Sequence, residues 1–520
     1  MASRSRRGCI DCKKAKVKCD EVHPFCGTCK RRGRECSGYR PITTARKVLE
    51  TGSTQTAEIS LTNQEVVGVG SPDAISFSRN FHRQDATGCC SVPLSSPASR
   101  ASSVSSVSPI VKHNAQIQAP PLQRALAIVP PGTVQPSDEP FIAVYFMRHP
   151  SELVFGDEFI QEMNSNVLLV FQDNPQAVSD SLSAIGEVYL RDSPLPVLSF
   201  VPNRKARILA RLRNMDNLGL SLELLLTTML GLCAVEIIDA SYHETQISSI
   251  PSLMENLAMM LDHHLHKGLA LSQLARYFIR ALARQDMMLA LTRLHPPHIP
   301  TDYWVDDDCM RHADRFMGYT STLMPLLAEL SAFAGEVRRS LNETVDEGIL
   351  NTACSTPFQH SPDVLNRAAL LKSKIELWHP TVDTKLSFNS LRRFLLHANA
   401  YRAASLLYLH RILNPAGTSP PADETAVAMA YEVMVHTPAM EEDIRMSLWP
   451  VFLASCEVYN ECDRITATKM LSAVCKGRKT ITAMRTNSFV VNRVWAARDN
   501  GGDWDWMRLA QRYPQELLPI

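Results

Sequence analysis

CIDCKKAKVKCDEVHPFCGTCKRRGREC, residues 9–36, carries six cysteines in the spacing C-x2-C-x6-C-x6-C-x2-C-x6-C. They are Cys9, Cys12, Cys19, Cys26, Cys29 and Cys36, and the frame is two copies of C-x2-C-x6-C. In each copy a close pair is expected to grip a metal at the start of a short helix, with the third cysteine returning from beyond it. Zinc binds thiolates tetrahedrally, so two ions sharing no ligand need about eight sulfurs, and six suffice when two thiolates bridge both metals. A disulfide framework and a pair of independent zinc sites are the competing readings. The chain opens Met1-Ala2-Ser3-Arg4-Ser5-Arg6-Arg7 without an apolar run, so an oxidising compartment is not expected and metal is favoured over disulfides.

The charge around this frame points to a polyanionic partner. Residues 1–50 hold eight arginines and six lysines against two aspartates and three glutamates, a net charge of +9, whereas the whole chain carries only +1. Such asymmetry between the ends of a chain marks a basic nucleic-acid-binding arm. Lys13-Lys14-Ala15-Lys16-Val17-Lys18 lies between Cys12 and Cys19, and Lys30-Arg31-Arg32-Gly33-Arg34-Glu35 between Cys29 and Cys36. Cations at this density bind phosphates through counterion release, which gives affinity without sequence information. Reading sequence requires a side chain at base edges, and a lysine in the major groove can donate to O6 and N7 of guanine. The same basic runs also suit a nuclear-localisation signal.

The cysteine frame, its basic run and Pro24, two residues before Cys26, resemble the fungal Zn2Cys6 binuclear cluster of zinc-cluster transcription factors. The resemblance implies two Zn2+ ions bridged by Cys9 and Cys26, the first thiolate of each half. It implies Lys16, three positions before the third cysteine, as the reader of a CGG triplet in double-stranded DNA. Lys13, Lys14, Lys18 and Arg31 are then phosphate or groove contacts. Ala15 departs from a position that is often basic in the family, which leaves the flanking-base preference open. Pro24 matches the loop proline that the family often holds in a cis peptide. Thiolates on zinc are deprotonated outright, and the module is expected to unfold when chelated.

Composition divides the chain into a zinc-cluster domain at 1–40, a Ser/Pro-rich disordered linker at 41–135 and an all-helical domain at 136–520. Ser91 to Pro109 contains nine serines in nineteen residues, with Pro93, Pro97 and Pro109. A segment so polar buries too little surface to offset its ordering entropy. Ser96-Pro97 and Ser108-Pro109 are candidate phosphorylation sites. Arg46 to Glu50 begins a helical pattern that Thr51-Gly52-Ser53 ends, and no a/d heptad follows. Dimerisation, where it occurs, is therefore expected through the helical domain.

The fold class expected is mainly α. Phe316, Tyr319, Leu323, Leu326, Leu327, Leu330, Phe333 and Val337 fall at three- and four-residue steps, which predicts one helix over 316–337. A second is predicted over Leu391 to Leu413, stopped by Asn414-Pro415. Leu224 to Val235 is apolar over twelve residues only, which suits a buried helix and not a membrane span. Asp286–Arg293, Met317–Thr320, Tyr401–Arg411 and Leu448–Ala454 together resemble the helical regulatory region of a large subgroup of fungal zinc-cluster regulators. That resemblance implies a regulatory or inhibitory module that senses metabolites or binds partners, with no catalytic activity.

Nothing else in the chain carries enzyme chemistry. Asp262-His263-His264-Leu265-His266 places ligand-type residues consecutively, so on a helix they diverge. Cys233, Cys309, Cys354, Cys456, Cys462 and Cys475 show no C-x2-C pairing and read as small core residues. No phosphate loop, dinucleotide fingerprint or nucleophile elbow is present. Asp503-Trp504-Asp505-Trp506 suits either an activation segment or a final helix packing its tryptophans. The expectation is a nuclear, sequence-specific regulator of RNA polymerase II transcription, with no enzymatic activity and no membrane contact. It would act on a pathway-specific set of metabolic or secondary-metabolite genes, with the transcription machinery or co-regulators as partners. The alternatives are a repressor or ligand-gated regulator, and a chromatin-recruited interaction protein with weak DNA specificity of its own.

Overall fold

The computed structural model describes residues 10–15, 17, 19, 26–32, 36, 132, 134–191, 200–213, 221–239, 248–346, 360–382, 385–477 and 480–520. Cys9, Lys16, Lys18, Pro24 and Cys354 lie outside the described residues, as do residues 41–131 and 133 of the linker expected at 41–135. The chain divides between Pro109 and Ile110 into two units. In the first, two short helices are described, α1 (Ile10–Lys14) and α2 (Gly27–Arg31).

The second unit is helical throughout its described residues, where the only β feature is an isolated bridge between Asp314 and Gly318. Its N-terminal half comprises α3 (Glu139–Leu153), α4 (Ile160–Asp173), α5 (Pro175–Arg191), α6 (Val201–Arg213), α7 (Leu222–Ile238), α8 (Ile250–His266) and α9 (Gln273–Arg293). After the short α10 (Asp307–Arg311) come α11 (Met324–Asp346), α12 (Pro362–Leu377), α13 (Phe388–Leu413), α14 (Pro420–His436), α15 (Leu448–Glu457) and α16 (Glu461–Gly477). The chain ends in α17 (Ile481–Phe489), a π-helical stretch Val490–Trp495, α18 (Ala496–Asp499) and α19 (Trp506–Arg512). Packing runs from α3 through α5, α7 and α9 to α11, α13, α14 and α15, and α19 returns to α9. None of the described helices is long and apolar enough to cross a membrane.

Local sequence sets the ends of these helices. Ser221, Ser272, Ser361 and Ser387 each accept a hydrogen bond from the amide three residues on, capping α7, α9, α12 and α13. Caps of this type are worth about 1 kcal/mol each. Along α13, Phe394, Ala398, Leu409 and Ile412 of the apolar face predicted from the sequence are buried, Leu395, Leu406 and Leu413 are half-buried, and Tyr401, Ser405 and Tyr408 are buried beside them. The apolar stretch 224–235 lies within the buried helix α7. At Gly186 of α5 an added Cβ would stand 1.9 Å from the Phe141 carbonyl oxygen, so the approach of α3 requires glycine there.

One predicted helix begins later than its periodicity indicates. Residues 314–318 form a tight turn in which Asp314 and Gly318 exchange backbone hydrogen bonds of 2.8 Å, and Gly318 takes a φ of 53°. The Asp314 carboxylate accepts from the amides of Phe316 and Met317 at 2.8 and 3.1 Å, competing with helical pairing. The α-helix therefore starts at Met324, although Phe316 and Tyr319 still reach the core. Of the cysteines read as core residues, Cys233, Cys309 and Cys456 are buried, Cys475 is half-buried and Cys462 is exposed.

Charged side chains knit the C-terminal half. Arg411 of α13 donates through Nε to Glu457 at 3.0 Å, through Nη2 to the same carboxylate and through Nη1 to Asp423 at 2.6 Å. Arg338 of α11 bonds Asp505 at 2.6 Å and the Arg411 carbonyl at 2.7 Å. Arg498 donates to the Glu457 carbonyl at 2.8 Å and lies 3.9 Å from the Trp504 ring centre. Trp504 and Trp506 are buried, so the acidic-aromatic tail is a packed terminal helix.

Arg338→Ala removes the closer of the two guanidinium partners of buried Asp505, leaving Arg508 at 3.2 Å, and is expected to cost about 1–3 kcal/mol, read from the urea midpoint of the full chain. A second expectation concerns acid. His397 of α13 lies 3.3 Å through Nε2 from the Met446 carbonyl. Burial, reinforced by the charge of Arg284 and opposed by that hydrogen bond, holds its imidazole down at about 3. The unfolded chain takes up this proton near about pH 6.5, so the folded state loses stability as the pH falls below that value. His397→Leu is expected to flatten the decline by up to about 1.4 kcal/mol per pH unit over roughly pH 6 to 4, measured as stability against pH.

Candidate metal centre and nucleic-acid interface

Among its described residues the N-terminal unit has almost no apolar core. Its buried side chains are Cys12, Cys19, Cys26 and Cys29, with only Val17 and Cys36 packed against them among the described residues. Four buried thiols with so little hydrocarbon around them do not constitute a stable hydrophobic core. A metal cross-link supplies what burial cannot.

Short helices aim the thiols inward. Cys26 is the N-cap of α2, in extended backbone geometry, and its Sγ accepts from the Cys29 amide at 3.3 Å. One turn of helix then brings Cys29 back beside it, which is the mechanical meaning of the two-residue spacing. Cys12 sits inside α1, and its carbonyl accepts from the Val17 amide at 3.0 Å. The Cys26 amide donates to Cys36 Sγ at 3.3 Å.

The Sγ atoms of Cys12, Cys26 and Cys29 lie within 4.8 Å of one another, the group of ligand atoms among the described residues that converges as a metal site does. Cys12 Sγ stands 3.5 Å from Cys26 Sγ and 3.7 Å from Cys29 Sγ. Tetrahedral zinc with Zn–S bonds of about 2.3 Å sets its sulfurs roughly 3.8 Å apart, so the donor set and spacing fit zinc. Cys26 is the hub. Burial pushes its thiol up, but the Cys29 amide and the thiols of Cys19, Cys12 and Cys29 outweigh this and lower it to about 7. A thiol so poised is readily deprotonated to the form that binds metal.

The basic residues sit outside this sulfur cluster. Lys14 at the end of α1 is exposed, as are Lys30, Arg31 and Arg32 at the end of α2. The Arg31 guanidinium lies 3.4 Å from Thr28 Oγ1. Lys13 belongs to α1, and Lys16, Lys18 and Cys9 are outside the described residues. Sequence reasoning overlooked Val17, whose only signal is an apolar residue within a run of lysines. In the other unit, the His263–His266 run ends α8, with His266 Nδ1 2.7 Å from the Asp262 carbonyl.

Residues 7–46 match the fungal Zn(2)-Cys(6) binuclear cluster domain, and residues 207–520 match the fungal specific transcription factor domain. Among curated proteins, the aspercryptin biosynthesis cluster-specific transcription regulator of Emericella nidulans is 55% identical over 43 residues, 8% of this chain and 7% of that protein. A transcriptional regulatory protein of Schizosaccharomyces pombe, moc3, is 38% identical over 58 residues, 11% of each chain. White-opaque regulator 2 of Candida albicans is 44% identical over 39 residues, 8% of this chain and 9% of that protein. The chain thus spans about a tenth or less of the length of these relatives. No solved structure matches. With its larger domain matched over more than half of its length and a zinc cluster matched at the N-terminus, the chain belongs to the fungal Zn(2)-Cys(6) transcription factors, a family of zinc- and DNA-binding regulators and not of enzymes.

Proposed function

We propose that the chain is a nuclear, sequence-specific regulator of RNA polymerase II transcription that reads CGG half-sites through a two-zinc cluster and controls a pathway-specific gene set. The observation that carries this is the position of Cys26, in contact with Cys12 and Cys19 of one half and Cys29 and Cys36 of the other. A thiolate so placed is the natural bridge between two metals, with Cys9 as the second bridge. Bound zinc would cross-link the two halves, and the residues that hold it would be Cys9, Cys12, Cys19, Cys26, Cys29 and Cys36. The cations of α1 and α2 would then face phosphate, with Lys13, Lys14, Lys18 and Arg31 as backbone or groove contacts and Lys16 at the guanine edges. Partners beyond DNA are co-regulators, and a second copy of the chain met through the helical domain.

Two measurements test the reading. Native mass spectrometry is expected to find two zinc ions per chain, and strong chelation to abolish DNA binding while the helical circular dichroism persists; one zinc per chain would remove the bridging assignment. Lys16→Ala is expected to reduce discrimination between CGG and mismatched sites by about 1–3 kcal/mol, whereas Lys14→Ala weakens all sites alike and lowers the salt slope by about 1. Discrimination that survives Lys16→Ala in a binding titration would assign the reading to another residue.

A further inference from the structure

Arg284 of α9, 5% exposed, is the buried arginine that stands without a carboxylate partner among the described residues. It lines a narrow cavity of about 70 Å³ bounded by α3, α4, α5, α7 and α9 and partly open to solvent. The walls are chiefly apolar, with Leu182, Ile185, Leu230 and Phe278 among them. The second cation there, Arg315, already has a carboxylate neighbour, although its Nε lacks a hydrogen-bond partner. It donates to the Tyr277 carbonyl at 2.7 Å, stacks 3.3 Å from the Tyr277 ring centre and has Asp314 at 3.7 Å. Nearby His397 offers Arg284 no anion, since the ring is neutral and the Arg284 charge helps keep it so.

Besides Arg315 Nε, three polar atoms of the lining lack partners, Ser181 Oγ, Tyr277 Oη and Gln285 Oε1. A buried guanidinium without a counter-charge costs several kcal/mol, and an apolar cavity with a few polar groups is the usual form of a small-molecule site. The missing element is an anion that brings its own hydrocarbon. We propose that this cavity binds a small monocarboxylic acid, its carboxylate paired with the Arg284 guanidinium and its apolar body held against Leu182, Ile185, Leu230 and Phe278. Ser181 and Gln285 would meet a hydroxyl or amino substituent. Inorganic phosphate and acetate lack the apolar body and are poor ligands, and apolar molecules without the carboxylate leave Arg284 unpaired. The site is independent of the zinc module and of how the protein reads DNA.

The test uses the purified full-length protein titrated calorimetrically with butanoate and benzoate, and with butanamide and benzamide as uncharged counterparts. The acids are expected to bind and the amides to bind at least about tenfold more weakly. Arg284→Met is expected to weaken the acids by about tenfold to a hundredfold while the ligand-free melting temperature holds or rises, because an uncompensated charge has gone. Ala234→Phe, which fills the cavity and keeps Arg284, is expected to abolish binding of acid and amide alike. Equal binding of acid and amide by the unaltered protein, acid affinity unchanged in Arg284→Met, or failure of both acids to bind would overturn the proposal.

Discussion

An ionised side chain taken out of water costs several kcal/mol unless an opposite charge and hydrogen bonds meet it, and the helical unit is arranged around places where that condition holds. Arg411 reaches two carboxylates, Asp423 of α14 and Glu457 of α15, and Arg338 ties Asp505 to the Arg411 carbonyl. These bonds fix α11, α13, α14, α15 and the terminal helix in one register. Near the other end of the unit, buried Glu187 accepts from the amides of Phe200 and Val201 at 2.6 and 3.2 Å, and Arg204 joins it to Asp138. Hydrophobic burial supplies the stability, and the paired charges select which of many apolar packings is adopted. Arg284 departs from this rule inside a cavity, and that departure gives the cavity its chemical preference.

The same requirement acts on the N-terminal unit through sulfur. Its buried side chains are thiols, and a thiolate is a buried charge whose natural counter-ion is a metal. Cys26 is held by an amide of its own helix and by neighbouring sulfurs, a setting that favours the deprotonated form. Lys14, Lys30, Arg31 and Arg32 have no place in so small an interior. They remain outside, where phosphate can meet them.

Much of this was readable in advance, and the failures have physical causes. The cysteine spacing is legible because metal geometry constrains it directly. The stripe of α13 is legible because a three- and four-residue period over a long segment has few other solutions. Phe316 and Tyr319 continued the period of α11 but belong to a turn, since the Asp314 carboxylate captured the amides a helix would have used. Burial of both aromatics satisfied the pattern without the helix. Cys462 was read as a core residue and is exposed, because composition cannot say which face of α16 meets solvent. The acidic-aromatic tail was ambiguous for the same reason, and the pairing of Asp505 with Arg338 decided it.

The sequence by itself determined the thiol donor set, the basic surroundings that suit a polyanion, the helical class and most helix ends, since these depend on neighbours along the chain. Tertiary structure alone decided that Cys26 stands among the thiols of both halves, that Arg411 and Arg338 find their carboxylates, and that Arg284 does not. Those partners lie tens to hundreds of residues apart. Whether a charge is paired depends on which helices pack together, which no local pattern encodes.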